Sequence, residues 1–290
     1  MPQPIRRRPS PQGCPAPRRA HDHPRPAPAP ARPRHPQRQR HLRPGTGPAA
    51  AGRSAALRAA RPGRLDLPYA AAPECRFDLF PAVSPSAPCL LLLHGGGWRG
   101  SRQGFSAVAE GLMAHGWSAA LPGHSPVPDS SLTRAVRQLH KALDWLAAQG
   151  PLHGISGPVL LCGWGSGAHL AAMLLGHPRV TAGLGLSGLY DLGGMEEALG
   201  LTPLEVEVLS PQRLPVVRKP FAIAFGEAEP GPLRQQSRAF HALRQADGGA
   251  GPLLPLPGLD HEAVPEALRA PDGLLCHTAR VLIEEATRTA

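Results

Sequence analysis

From residue 65 onward, short unbroken apolar runs alternate with longer segments in which apolar residues recur every three or four positions. The run PCLLLLHGGGW (88–98) predicts a buried strand ending in glycines. GFSAVAEGLMAHG (104–116) predicts a helix stopped by Gly116, and WSAALPG (117–123) a second strand. SLTRAVRQLHKALDWLAAQG (131–150) sets Leu132, Val136, Leu139, Leu143 and Leu146 on one helix face, with Gly150 as C-cap. A strand at 158–162, a helix from about 167 to 176 and a strand at 180–187 follow. The remainder reads as a strand at 220–226, a helix at 232–246, a short apolar strand at 251–258 and a closing helix at 271–287. This alternation predicts an α/β fold, a mostly parallel sheet covered by helices on both faces. Ligands of such sheets bind in the loops beyond the C-terminal strand ends, and the unusual residues of this chain fall there.

Composition changes the picture only before that region. Residues 1–64 hold 15 Arg, 15 Pro and a single acid, Asp22, a charge of +14, whereas the other 226 residues carry −4. With Ile5, Leu42 and Leu57 as its only large apolar residues, the segment lacks the surface to offset the entropy of ordering, and it is expected to be a disordered extension. The globular domain is then 65–290. The Arg-rich tract leaves open a weak electrostatic contact with nucleic acid or an anionic surface, though it lacks interleaved aromatics for base stacking. It has no apolar core of 7–15 residues for a secretory signal, and the chain has no 18-residue apolar run for a membrane span. Cys14, Cys75, Cys89, Cys162 and Cys276 are widely spaced without a C-x-x-C pair, which argues against a zinc site or disulfide framework and for a reducing cytoplasm.

The chemistry is concentrated in four passages. CGWGSGAHL (162–170) is a strand end, a glycine corner and a helix start, the local pattern of a nucleophile elbow, G-x-S-x-G. Its outer glycines fit as Gly163 and Gly167, but the central position is Gly165. In that register Ser166 contributes a backbone N–H to an oxyanion hole. For Ser166 to be the nucleophile instead, Trp164 and Ala168 would have to stand where the tight turn needs small residues. HGGGW (94–98) lets the backbone of Gly95 and Gly96 approach a substrate oxygen and direct N–H groups at it. GLDHEAV (258–264) offers His261 as general base. FGEAEPGPLRQQS (225–237) offers Glu227 and Glu229 as the carboxylate that orients it, with surface acids as the plainer alternative.

Together these passages resemble the α/β-hydrolase superfamily, and within it the kynurenine formamidase (arylformamidase) group of small esterase-like hydrolases. HGGGW resembles that group's His-Gly-Gly-Tyr-Trp, GWGSGAHLAAMLL its Gly-His-Ser-Ala-Gly elbow, and LSGLYDL (186–192) its Ser-Gly-x-Tyr-Asp-Leu stretch; EPGPLRQQSRAF and GLDHEAV resemble its acid and histidine loops. LDLPYAAAPECRFDLFPA (65–82) resembles the group's entry into the domain. The resemblance implies hydrolysis of N-formylkynurenine or a small carboxylic ester without cofactor or metal, Glu229 as the acid, His261 as the base, and Trp98 and Tyr190 at the substrate. The departures are as specific. The group's serine aligns with Gly165, its tyrosine with Gly97, and the histidine before its serine with Trp164, while the helical segment before its domain is replaced here by the Arg/Pro tract. Two functions remain open: an impaired hydrolase acting on a small acyl or aryl substrate, or a catalytically inactive member that binds such a ligand or a partner.

Overall fold

The computed structural model describes residues 48–61 and 63–288. Eight strands form one sheet: β1 (Arg64–Pro68), β2 (Arg76–Phe80), β3 (Cys89–Leu93), β4 (Ser118–Pro122), β5 (Val159–Trp164), β6 (Ala182–Leu186), β7 (Phe221–Gly226) and β8 (Leu253–Leu256). Their order is β1-β2-β4-β3-β5-β6-β7-β8; β1, β2 and β4 pair antiparallel and all later neighbours parallel. The long helices are α1 (Pro48–Ala60), α2 (Leu132–Gln149), α3 (Ser166–Leu174), α4 (Gly231–Ala246) and α5 (Leu274–Arg288).

β3 and β5 are continuous apolar runs because both faces of a central strand are covered. Cys89, Leu91 and Leu93 enter one core with α2, α3 and Phe240, whereas Leu90 and Leu92 enter a second core with Phe105, Leu112 and the inner face of α5. From β3 the chain turns to β4 on one side and later returns to β5 on the other. Loops diverging from neighbouring strand ends open a crevice there, and HGGGW and the Gly165 corner are those loops.

Three expectations are corrected. The segment 104–116 is not one helix but a helical turn at Arg102–Phe105, a 3-10 turn at Ser106–Ala109 and a further turn at Glu110–Ala114. Gly150 does cap α2, but in a right-handed conformation that leads into a 3-10 turn, so the left-handed stop expected of a glycine cap falls at Gly154, φ +77°. The third concerns the boundary at residue 64. Residues 1–47 lie outside the described residues, but 48–60 form α1, a run rich in alanine, the best helix former. Leu57 is buried, and the Ser54 hydroxyl donates to the Gly104 carbonyl at 3.0 Å and accepts from the Ala107 N–H at 3.1 Å. Arg53 pairs with Glu266 at 2.5 Å, and Arg58 pairs with the fully buried Asp78. The domain therefore begins before 64, and a helix does stand ahead of β1.

Candidate active site

β5 runs to Trp164, and the chain then reverses at Gly165 into α3. Gly165 has φ +55° and ψ −113°, and its N–H donates to the Leu186 carbonyl of β6 at 2.8 Å. The glycines two residues either side are demanded by contact. A Cβ on Gly163 would stand 2.1 Å from the Gly167 carbonyl oxygen, and one on Gly167 would stand 2.3 Å from the Leu93 oxygen. The corner is therefore centred on residue 165, in the register G163-x-G165-x-G167.

Beyond its two chain neighbours, a Cβ on Gly165 would meet His261 alone among the described residues, at 3.4 Å from Nε2 and 3.5 Å from Cε1. His261 stands on the loop after β8, with a quarter of its side chain exposed. Its ring lies 4.9 Å from that of Trp164, whose indole N–H donates to the His261 carbonyl at 2.9 Å. The aromatic residue at 164 thus holds the histidine from the strand side.

Glu229 follows β7 in a tight turn and is buried, with its Oε1 3.9 Å from His261 Nδ1. Oε1 accepts from the Gly226 N–H at 2.9 Å and from the Ser187 hydroxyl. Burial raises the Glu229 pKa, and these two hydrogen bonds oppose the rise. Glu227, the alternative acid, is exposed. Ser187, which sequence reasoning missed, is fully buried with φ +51°. Its position directly after β6, beside the acid, was the available signal.

The HGGGW loop lies across the N-terminus of α3. Gly96, Gly97 and Trp98 have φ of +78°, +63° and +61° in succession. A Cβ on Gly95 would stand 2.5 Å from the Trp164 ring, so the loop approaches β5 as closely as a glycine permits. The Ser166 hydroxyl, 1% exposed, accepts from the Trp98 N–H at 2.8 Å and so ties the loop to the corner. Ser166 opens α3, where a backbone N–H has no partner within the helix. His94 is buried and stacked on His124 with centroids 4.8 Å apart, and burial with that neighbour lowers its pKa to about 3, keeping it neutral.

The two residues that the resemblance sets at the substrate are both buried. The Trp98 side chain is fully buried, with its indole N–H directed at His169 Nδ1 at 3.3 Å, because the left-handed backbone turns the ring into the core. Tyr190 is also fully buried and stacks on Phe240 at 4.3 Å. Neither side chain lines the cavity beside the HGGGW loop. This cavity, of about 660 Å³, lies on the far side of the HGGGW loop, lined by His94, Arg99, Gly100, Arg102, Gly123 and His124, but by neither Gly165 nor His261. Its size does not make it the reacting centre, because no nucleophile–base pair faces it. Among the described residues, no three His, Cys, Asp or Glu gather to hold a metal, and no helix is long and apolar enough to cross a membrane.

The sequence pattern of the alpha/beta hydrolase family matches residues 90–288, well over half of the chain. Kynurenine formamidase from Danio rerio is 26% identical over 208 residues, covering 63% of this chain and 69% of that protein. The Salmo salar kynurenine formamidase is 26% identical over 229 residues, 70% of this chain and 76% of that protein. Among solved structures, esterase B from Lactobacillus rhamnosis shares the fold with a TM-score of 0.67 at 19% identity, covering 83% of this chain and 94% of that one.

Proposed function

This chain belongs to the alpha/beta hydrolase family, and from that premise we propose that it is an arylformamidase- or esterase-type hydrolase whose activity is impaired by the glycine at 165. The substrate class is a small acyl compound, an N-formyl aryl amide such as N-formylkynurenine or a small carboxylic ester. His261 is the base, Glu229 the group that orients it, and the N–H groups of Gly95, Gly96 and Ser166 the donors to the developing oxyanion. One observation carries the reading. The Cβ position of Gly165 is 3.4 Å from His261 Nε2 and, beyond its two chain neighbours, meets no other described residue, so a serine there would place its hydroxyl beside the base.

Formation of kynurenine from N-formylkynurenine and of nitrophenolate from p-nitrophenyl acetate tests it, with the full chain compared with its Gly165→Ser variant. Loss of a triad nucleophile costs about 10⁴–10⁶ in kcat, so the serine variant should be faster by orders of magnitude. A serine variant as slow as buffer would overturn the reading. The second reading, a binding protein without turnover, is favoured by Gly165 itself together with the polar cavity beside the HGGGW loop. We propose a cytoplasmic location, a reading supported by the wide spacing of the cysteines, of which Cys75, Cys89, Cys162 and Cys276 are free among the described residues.

A further inference from the structure

We propose that this chain hydrolyses its acyl substrate in a single displacement, with a solvent water as nucleophile, activated by His261 over the Cα of Gly165, and with no acyl-enzyme. The inference rests on the formamidase–esterase reading of the same site.

Three observations lead there. First, the corner keeps the backbone of an elbow while its side chain is a hydrogen atom, and beyond its two chain neighbours the described residues bring only Nε2 and Cε1 of His261 within 4 Å of the Cβ position. The seryl CH₂–OH that would otherwise fill this place takes up close to what one water claims in the liquid, about 30 Å³. Second, the base is held by contacts that a nucleophile does not supply. Trp164 fixes the His261 backbone at 2.9 Å and lies against its ring, and Glu229 stands beside Nδ1. Third, the neighbouring side-chain nucleophiles are turned elsewhere. The Ser166 oxygen is buried under the Trp98 N–H, and the Cys162 thiol lies inside β5, fully buried, with its pKa raised by that burial.

The step balances without any further reactant. His261 Nε2 takes one proton of the water as the water oxygen bonds to the acyl carbon, and the carbonyl π pair moves onto oxygen before the N–H donors of the loop and α3. The C–O or C–N bond to the leaving group then breaks, that group takes the proton back from Nε2, and a carboxylic acid is released. Water activated by an imidazole is a weaker attacking group than a seryl oxygen held in a triad. The route therefore suits unhindered acyl groups on acidic leaving groups, formyl or acetyl esters of phenols and enols, ahead of anilides.

The test uses the full chain with p-nitrophenyl acetate and a fluorophosphonate probe. The natural protein should release nitrophenolate without an initial burst, gain no mass when quenched during turnover, and keep its rate after fluorophosphonate treatment. His261→Gln and His261→Ala should each lower that rate by about 10²-fold or more. Gly165→Ser should show the burst, the acyl adduct and the inhibition that the natural protein lacks. An adduct on any side chain of the natural protein overturns the proposal, as does a rate that survives both His261 variants. An inert natural protein beside an active Gly165→Ser overturns the water route and leaves the site reading standing. Inertness of both overturns the site reading itself.

Discussion

Replacing Arg58 by alanine in the full chain should lower stability by about 2–3 kcal/mol. Asp78 is fully buried, so no water solvates its charge. It is met by Arg58, by Arg102 at 3.3 Å and by the Asp66 N–H at 3.0 Å. Removing one partner of a buried pair costs about 3–5 kcal/mol when the other charge is left alone. Here Arg102 and the Asp66 N–H remain on Asp78, which places the loss below that range. At a slope of about 2–3 kcal/mol per molar urea, the unfolding midpoint should fall by roughly 1 M. Tryptophan fluorescence and far-ultraviolet ellipticity should move together if the transition is two-state. Adding Asp78→Asn to Arg58→Ala should recover part of the loss, since the orphaned charge is then gone. A midpoint unchanged by Arg58→Ala would refute the reasoning, and would mean that α1 only rests on the surface of a domain that starts at residue 64.

Four further outcomes follow from the same geometry. Burial lowers the pKa of His94 to about 3, that of His169 to about 4 and that of His124 in the same direction. The stability these neutral rings contribute is complete above about pH 6.5 and is lost as pH falls towards 4, at about 1.4 kcal/mol per unit for each ring; ellipticity retained at pH 3.5 would contradict this. Gly163→Ala, whose Cβ would meet the Gly167 oxygen at 2.1 Å, should cost about 3 kcal/mol or more, whereas Gly116→Ala, with φ +76° and open space, should cost about 1 kcal/mol; thermal melts of the pair decide whether contact or φ sets the cost. Ser166→Ala should cost about 1–3 kcal/mol by orphaning the Trp98 N–H and should slow turnover only about tenfold, whereas abolished turnover would make its hydroxyl the nucleophile. The raised pKa of Glu229 means its charged form is held at a cost above the usual carboxylate range, so Glu229→Gln should melt higher than the natural chain at pH 8, with the gain shrinking towards pH 4 while turnover falls. An equal difference in melting at both pH values would count against it.

The central strands and the corner were legible in the chain because their causes are local. The apolar run of one cysteine and four leucines in β3 has no stable place except between two covered faces, and three glycines at spacing two signal a close backbone approach by that spacing alone. Glu229 and His261 could be found by their place after β7 and β8. β1 and β2 were not legible as strands, since they are short and carry Asp66 and Asp78, whose partners Arg58 and Arg102 come from distant parts of the chain. α1 was hidden by composition: its arginines continue the tract before it, and the small face it buries, Ala50, Ser54 and Leu57, carries little hydrophobic signal. The burial of Trp98 was not legible, since it rests on a left-handed φ at a non-glycine residue that no local pattern announces.

The corner at Gly165 is held by Gly163 against Gly167, by Gly167 against β3, and by a backbone bond to β6, none of which involves a side chain at 165. Structure and reactivity are therefore inherited through different positions. A substitution at 165 leaves every one of those contacts in place, and its cost is confined to the strain of a side chain at φ +55°.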